Sequence, residues 1–254
     1  MLTLSTDFGS PYPAAMKGVI LQATDTRLVD ISHDFPRQDV RATAFWLREV
    51  LPYFPPAVHC VVVDPGVGTD RAALVVRVGE HAIVAPDNGV CLPVARELAG
   101  EGDVIEVFEI EYDTPDSATF HGRDVFAPTA AAVHETGVGS LQDTASLARA
   151  DDYVDLTFPD PTVSETGASG EILVVDGFGN VITNVPGDAV TGVFGQQVRI
   201  NGEPVQVQRT YAAVPTGQRL VTVGSHGNVE LAVNQGRGDE AFHVGPGDRV
   251  ELSY

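Results

Sequence analysis

Residues 61–71, VVVDPGVGTDR, place an acid at the end of an apolar run and an arginine one short loop further on. Pro65 cannot donate to a sheet ladder, so a strand through Val61–Val63 ends there or runs along an edge. Gly66 and Gly68 permit tight backbone turns. Asp64 therefore projects from the carboxyl end of a strand, where open α/β sheets bind ligands, and Arg71 is near enough to pair with it. Two readings stand at this point: a structural turn closed by an ion pair, or a carboxylate oriented for chemistry. A second stretch, FHGRD at Phe120–Asp124, opens an alanine-rich helix. Asp124 suits a cap there. His121, beside Gly122, is either an ordinary loop residue or an imidazole placed for proton transfer. The stretches DGFGN (Asp176–Asn180) and GSHGN (Gly224–Asn228) read as turns when taken alone.

Metal and cofactor patterns are missing. The seven histidines form no HxxxH or HExxH pair, and Cys60 and Cys91 form no CxxC or zinc pattern. No metal and no cofactor are expected. The P-loop pattern does not occur. A dinucleotide fingerprint would need glycine where Arg71 stands. A methyltransferase loop is partly imitated by VVDPGVGTD, although Thr69 and Asp70 replace its last small residues. That reading is kept as an alternative.

The elements that must carry these residues alternate at first. Strands are expected at Leu2–Ser5, Arg27–Ile31, Val58–Val63, Ala72–Val78, Ala82–Ala85 and Val104–Phe108. Helices are expected at Pro13–Ala23, Val40–Leu51, Leu92–Leu98 and Asp124–His134. This pattern predicts an α/β domain with a mostly parallel sheet over residues 1–158. Residues 159–170, rich in Pro, Ser, Thr and Gly, read as a linker. Residues 171–254 show short strands without helices, which suggests an all-β barrel or sandwich.

Composition narrows the function. The chain has 254 residues, 43% of them hydrophobic, which suffices for one large or two modest cores. There are 15 basic residues against 35 acidic ones, for a formal charge of −20, and Lys17 is the sole lysine. Nucleic acid is a poor partner for such a surface, because phosphate neutralisation needs clustered cations. Spread acidity with almost no lysine suggests a halophilic habitat, where salt screens the repulsion. No apolar run approaches a membrane span, and MLTLSTDFG reads as a first strand rather than a leader. A cytoplasmic protein that does not enter membranes is expected.

Taken together, the motifs resemble the S-adenosylmethionine hydroxide adenosyltransferases across nearly the whole chain. The matching stretches are STDFG (Ser5–Gly9), MKG (Met16–Gly18), VVDPGVGTDR, APDNG (Ala85–Gly89), TFHGRDVFAP (Thr119–Pro128), DGFGNVITN (Asp176–Asn184) and GSHGNVELAVNQG (Gly224–Gly236). The resemblance implies an α/β domain followed by a β-barrel domain, in a homotrimer with active sites between subunits. It implies hydrolysis of S-adenosyl-L-methionine to adenosine and L-methionine, with a non-catalytic trimeric protein that binds adenosine or S-adenosylmethionine kept as a second alternative. Asp64, Arg71 and His121 match the family's catalytic set. Halogenating relatives carry tyrosine in place of Asp64 and His121, and the fluorinating ones carry serine in place of Gly122. This chain also lacks the insertion of the fluorinating branch after Arg71.

For binding, the resemblance puts Asp7 on the ribose hydroxyls, and Asn180 with the Val233 backbone on adenine. Asp176 and Ser225 fall to the methionine amine and carboxylate. His226, Asn88 and Glu230 are further substrate-binding candidates, and Phe8, Trp46 and Phe178 candidates for stacking on the base. These residue types suit the reaction. Methionine leaves a sulfonium as a neutral thioether, so no acid is needed. A carboxylate is expected to hold water in line with the C5′–S bond and accept proton density as the C–O bond forms. His121 is then a second water contact or the next proton acceptor.

Overall fold

The segment Leu2–Thr6 is buried along its whole length and forms the first strand, β1, of a computed structural model that describes residues 1–254. The chain divides into two units, Met1–Thr157 and Phe158–Tyr254. In the first, β1 is followed by α1 (Tyr12–Ala23), β2 (Leu28–Ser32), α2 (Val40–Val50), β3 (Val58–Val62), β4 (Ala73–Val78), β5 (His81–Pro86), α3 (Leu92–Leu98), β6 (Glu106–Ile110), α4 (Ala127–Thr136) and β7 (Leu147–Arg149). Local signals account for the helix starts. A proline opens α1, where its missing N–H costs nothing, and the Asp39 side chain caps α2 by accepting from the Ala42 N–H at 2.9 Å.

The sheet order is β2-β1-β3-β5-β4-β6-β7. The strands β2, β1, β3 and β5 run parallel, whereas β5-β4-β6-β7 is an antiparallel run. Antiparallel pairing there follows from the short β4–β5 hairpin, turned at Gly79 with φ +52°. One pleat face, with Leu2, Leu4, Val58, Cys60 and Val62, packs against Met16 and Ile20 of α1 and Ala130 and Val133 of α4. After β1 the chain moves to β2 on one side, then to β3 on the other. That reversal makes the carboxyl ends of β1 and β3 the topological switch point, where such sheets open a crevice.

The second unit contains β8 (Thr162–Ser164), β9 (Gly167–Val175), β10 (Val181–Pro186), α5 (Asp188–Thr191), β11 (Gln197–Ile200), β12 (Glu203–Val207), β13 (Arg219–Val223), β14 (Asn228–Val233), α6 (Gly238–Phe242) and β15 (Arg249–Ser253). Pairing runs β10-β14-β13-β12-β11-β15-β9, and a β9–β10 pairing closes the ring, with β8 appended outside it. The result is a closed seven-stranded barrel filled mainly by branched aliphatics, among them Ile172, Val181, Val205, Val221, Leu231 and Val250.

Two sequence readings change here. The stretch 159–170 expected as a linker carries β8 and the first residues of β9, because Gly167–Gly170 pair with β15 despite their small side chains. The barrel unit was also expected to lack helices, yet α5 and α6 interrupt it as single short turns. Neither is long enough to leave a 3.6-residue signal in the sequence.

Candidate active site

The switch point holds a cavity of about 550 Å³ in the first unit. Asp7, just past β1, and Asp64, just past β3, both line it, since Thr6 and Val62 are in register on neighbouring parallel strands. His121, Gly122, Phe8, Tyr12, Gln38 and Arg123 contribute further wall.

Arg71 binds Asp64 with two nitrogens: Nε donates to Oδ1 at 3.1 Å and Nη2 to Oδ2 at 2.5 Å. The two side chains retain only 8% and 4% of their exposure. Nη1 donates to the Ala72 carbonyl at 2.6 Å, and the guanidinium carbon stands 5.2 Å from the centre of the Phe126 ring. The Gly66 N–H adds a bond to Asp64 Oδ1 at 3.2 Å. This carboxylate is therefore fixed by a planar fork, a fit that lysine cannot reproduce.

Arg71 also reaches the third member of the set. Its Nη2 lies 3.4 Å from His121 Nδ1, so a neutral ring accepting there carries its proton on Nε2. Burial pushes the His121 pKa below the ordinary imidazole value and the Arg71 cation adds to this, against the opposing pull of Asp64 and Asp124. The ring is 4% exposed and meets Tyr112 edge-on at 6.1 Å.

The backbone explains how residues so distant in sequence meet. Residues Gly122–Phe126 form a π-helical turn ahead of α4, a form that marks functional positions in helices. Gly122 lies where an added Cβ would meet Phe8 at 3.1 Å and Met16 at 3.2 Å. Gly68, at φ +79°, sits so near the Ala118 carbonyl that a Cβ would be 2.6 Å from it. That close approach docks the Asp64 loop onto the segment leading to His121. Asp124 also serves this segment by accepting from the Ser117 N–H at 2.8 Å. Its expected role as a helix cap is not seen, since the backbone is already helical from His121.

The remaining candidates divide by unit. Asp7 Oδ2 accepts from the Gln38 N–H at 2.7 Å. Asn88 does not line the cavity. It braces the end of β3, donating to the Val63 carbonyl at 2.9 Å and accepting from the Val90 N–H at 3.2 Å. Trp46 packs on Phe45 within α2, whereas Phe8 belongs to the cavity wall.

In the barrel, Asp176 shapes its own turn. Its Oδ1 accepts from the N–H groups of Phe178 and Asn180, and its Oδ2 from Asn180 Nδ2. Phe178 is 81% exposed at the turn's tip. Ser225 is exposed, while the buried Glu230 takes the Tyr211 hydroxyl at 2.6 Å and faces His226 Nε2 at 3.6 Å. The Val233 carbonyl accepts from the Gly236 N–H. Sequence reasoning missed Gln38, Tyr12, Arg37, Arg123 and Tyr211. Arg123 lay inside the TFHGRDVFAP stretch without being given a role, and the other four stand in no pattern with a turn or spacing signal of its own.

An α/β unit with a carboxylate–guanidinium–imidazole set at its switch point, followed by a seven-stranded barrel, defines a two-domain class of protein. The chain belongs to the SAM hydroxide adenosyltransferase family: the family's N-terminal domain matches residues 2–144 and its C-terminal domain residues 170–251. It is 37% identical to a Salinispora tropica protein named (R)-S-adenosyl-L-methionine hydrolase, over 99% of this chain and 97% of that one. A Thermus thermophilus protein of the same name is also 37% identical, over 97% of each chain. A solved structure of a conserved protein from Thermotoga maritima superposes with a TM-score of 0.84 at 35% identity, each chain being fully covered.

Proposed function

We propose that this chain hydrolyses S-adenosyl-L-methionine to adenosine and L-methionine. The observation that supports this most is the meeting of Asp64 and His121, from segments distant in sequence, on one cavity wall, with Arg71 behind them bonded to Asp64 and 3.4 Å from the His121 ring. The names of its full-length relatives supply the substrate.

In this reading Asp64 holds a water molecule in line with the C5′–S bond and takes up proton density as oxygen bonds to C5′. Arg71 fixes the carboxylate's direction. His121, with Nε2–H available when neutral, is a second contact for the water. The electron pair of the C5′–S bond leaves with sulfur, which becomes the neutral thioether of methionine. Positive charge is lost in that step, so a pocket closed to bulk water favours it.

Asp7 receives the ribose hydroxyls. Asn180 and the Val233 backbone receive adenine, and Asp176, Ser225, His226 and Glu230 receive the methionine portion. The active protein is a homotrimer with its sites at subunit interfaces, and it works without a cofactor in a salty cytoplasm. The −20 charge supports the last point, and a melt without added salt should then show marked destabilisation.

The test is chromatography of the purified protein with S-adenosyl-L-methionine. Adenosine and methionine are expected in equal amounts. Asp64→Ala and His121→Ala should lose turnover while still binding adenosine. S-adenosylhomocysteine as the product would instead identify a methyltransferase, and unchanged rates in both variants would overturn the roles of Asp64 and His121.

A further inference from the structure

The turn that carries Asp7 is bonded to a residue outside the cavity wall, His33. Asp7 sits in the turn Thr6–Gly9, which ends on Gly9 at φ +65° with nothing within 4 Å of an added Cβ. Phe8 anchors the middle of this turn against Tyr12 and Phe120, which leaves its two ends to be held by other groups. His33, one residue past the end of β2, grips it at both ends. Its ring Nδ1 lies 3.0 Å from Thr6 Oγ1, and its carbonyl accepts from the Gly9 N–H at 2.9 Å.

Asp30 stands at the other edge of the ring. His33 Nε2 stands 3.1 Å from Asp30 Oδ1, and the other oxygen of Asp30 takes Lys17 Nζ at 2.5 Å. The only lysine of the chain is therefore committed to this polar chain, which runs from α1 through β2 to the end of β1.

We propose that His33 is a positioning residue for nucleoside binding, which fixes the Asp7 turn so that its carboxylate meets a vicinal diol. The inference rests on Asp7 taking the ribose hydroxyls. A carboxylate offers about four acceptor sites, so the bond from Gln38 leaves capacity for two hydroxyls. Without the His33 ring the Thr6 end of the turn can shift while the backbone bond to Gly9 remains, and the diol loses its partner while the rest of the nucleoside still binds.

The test is calorimetric titration with adenosine and with 2′-deoxyadenosine, on the wild type, His33→Ala, Asp7→Ala and the double variant. The wild type should prefer adenosine by roughly tenfold or more, the usual effect of a hydrogen bond to a charged group. His33→Ala should lose most of that preference, and adding it to Asp7→Ala should change nothing further. Asp30→Asn, altered at a side chain that is 43% exposed, should move the preference the same way even where His33→Ala does not fold. A full preference retained in His33→Ala and Asp30→Asn, or losses that add to that of Asp7→Ala, would overturn the proposal. Failure of the hydrolase reading would show separately, as a wild type that binds adenosine with this preference yet releases no methionine.

Discussion

Arg71 holds Asp64 through both edges of the carboxylate, at 3.1 Å and 2.5 Å, with almost no solvent reaching either side chain. A pair this buried is costly to break from one side, because the survivor keeps its desolvation cost without its partner. Arg71→Ala should therefore destabilise the protein by about 3–5 kcal/mol in denaturant titration. Arg71→Lys should keep more of that stability yet lose turnover, since a single ammonium cannot reproduce the fork. Full activity in Arg71→Lys would show that the orientation of Asp64 is unimportant.

Gly68 joins the two halves of the site. Its φ of +79°, with the Ala118 carbonyl 2.6 Å from where a Cβ would stand, leaves alanine no relaxed conformation. Gly68→Ala should cost about 1–3 kcal/mol and lower turnover by separating the Asp64 loop from the His121 segment. Thermal unfolding and a rate assay check both; a variant with normal stability and rate would contradict the docking role.

Activity should fall on the acid side only below the ordinary histidine range. His121 has its pKa lowered by burial first and by Arg71 second, so the neutral ring persists as pH drops through 6.5. The acid limb of kcat/KM is expected below that value and should change shape in His121→Asn. An acid limb centred above 6.5 would contradict this environment for the ring.

A second histidine governs acid stability instead. His59 is fully buried, with Nδ1 2.8 Å from Thr3 Oγ1 and Nε2 3.0 Å from His81 Nδ1. Burial, with a smaller contribution from His81, pushes its pKa down to about 3. Below pH 6.5 the unfolded chain takes up this proton while the folded one does not. Stability thus declines as pH falls, by up to about 1.4 kcal/mol per pH unit from this group. Denaturant titrations between about pH 6.5 and 5, above the main carboxylate titrations, should show a shallower decline in His59→Gln. Equal slopes would show that the ring titrates alike in both states.

Much of the site was legible because its chemistry is written in short turns. Asp64 follows a run of three valines, and Pro65 ends the strand, so the sequence alone puts the acid at a strand end. Arg71 lies within the same loop. His121 stood out beside Gly122 at a helix start, but its grouping with Asp64 and Arg71 came only through the family resemblance, since its meeting with Arg71 depends on the π-helical turn and on Gly68 against Ala118. The barrel strands were visible as short branched runs between turns. The β9–β10 closure and the register that pairs Gly167–Gly170 with β15 were not, because pairing partners are set by tertiary packing. Asn88 was read as a substrate contact from the family's APDNG stretch; the bonds its amide makes in the structure, to the Val63 carbonyl past β3 and the Val90 N–H before α3, depend on tertiary packing that the stretch does not encode.

The central claim is that water, aimed by Asp64, attacks C5′ of the sulfonium substrate. It is tested most directly by turnover in water enriched in oxygen-18, with mass analysis of both products. The account predicts one labelled oxygen in the 5′-hydroxyl of adenosine, none in methionine, and loss of that product in Asp64→Asn. Unlabelled adenosine, or labelled adenosine formed at the wild-type rate by Asp64→Asn, would contradict it.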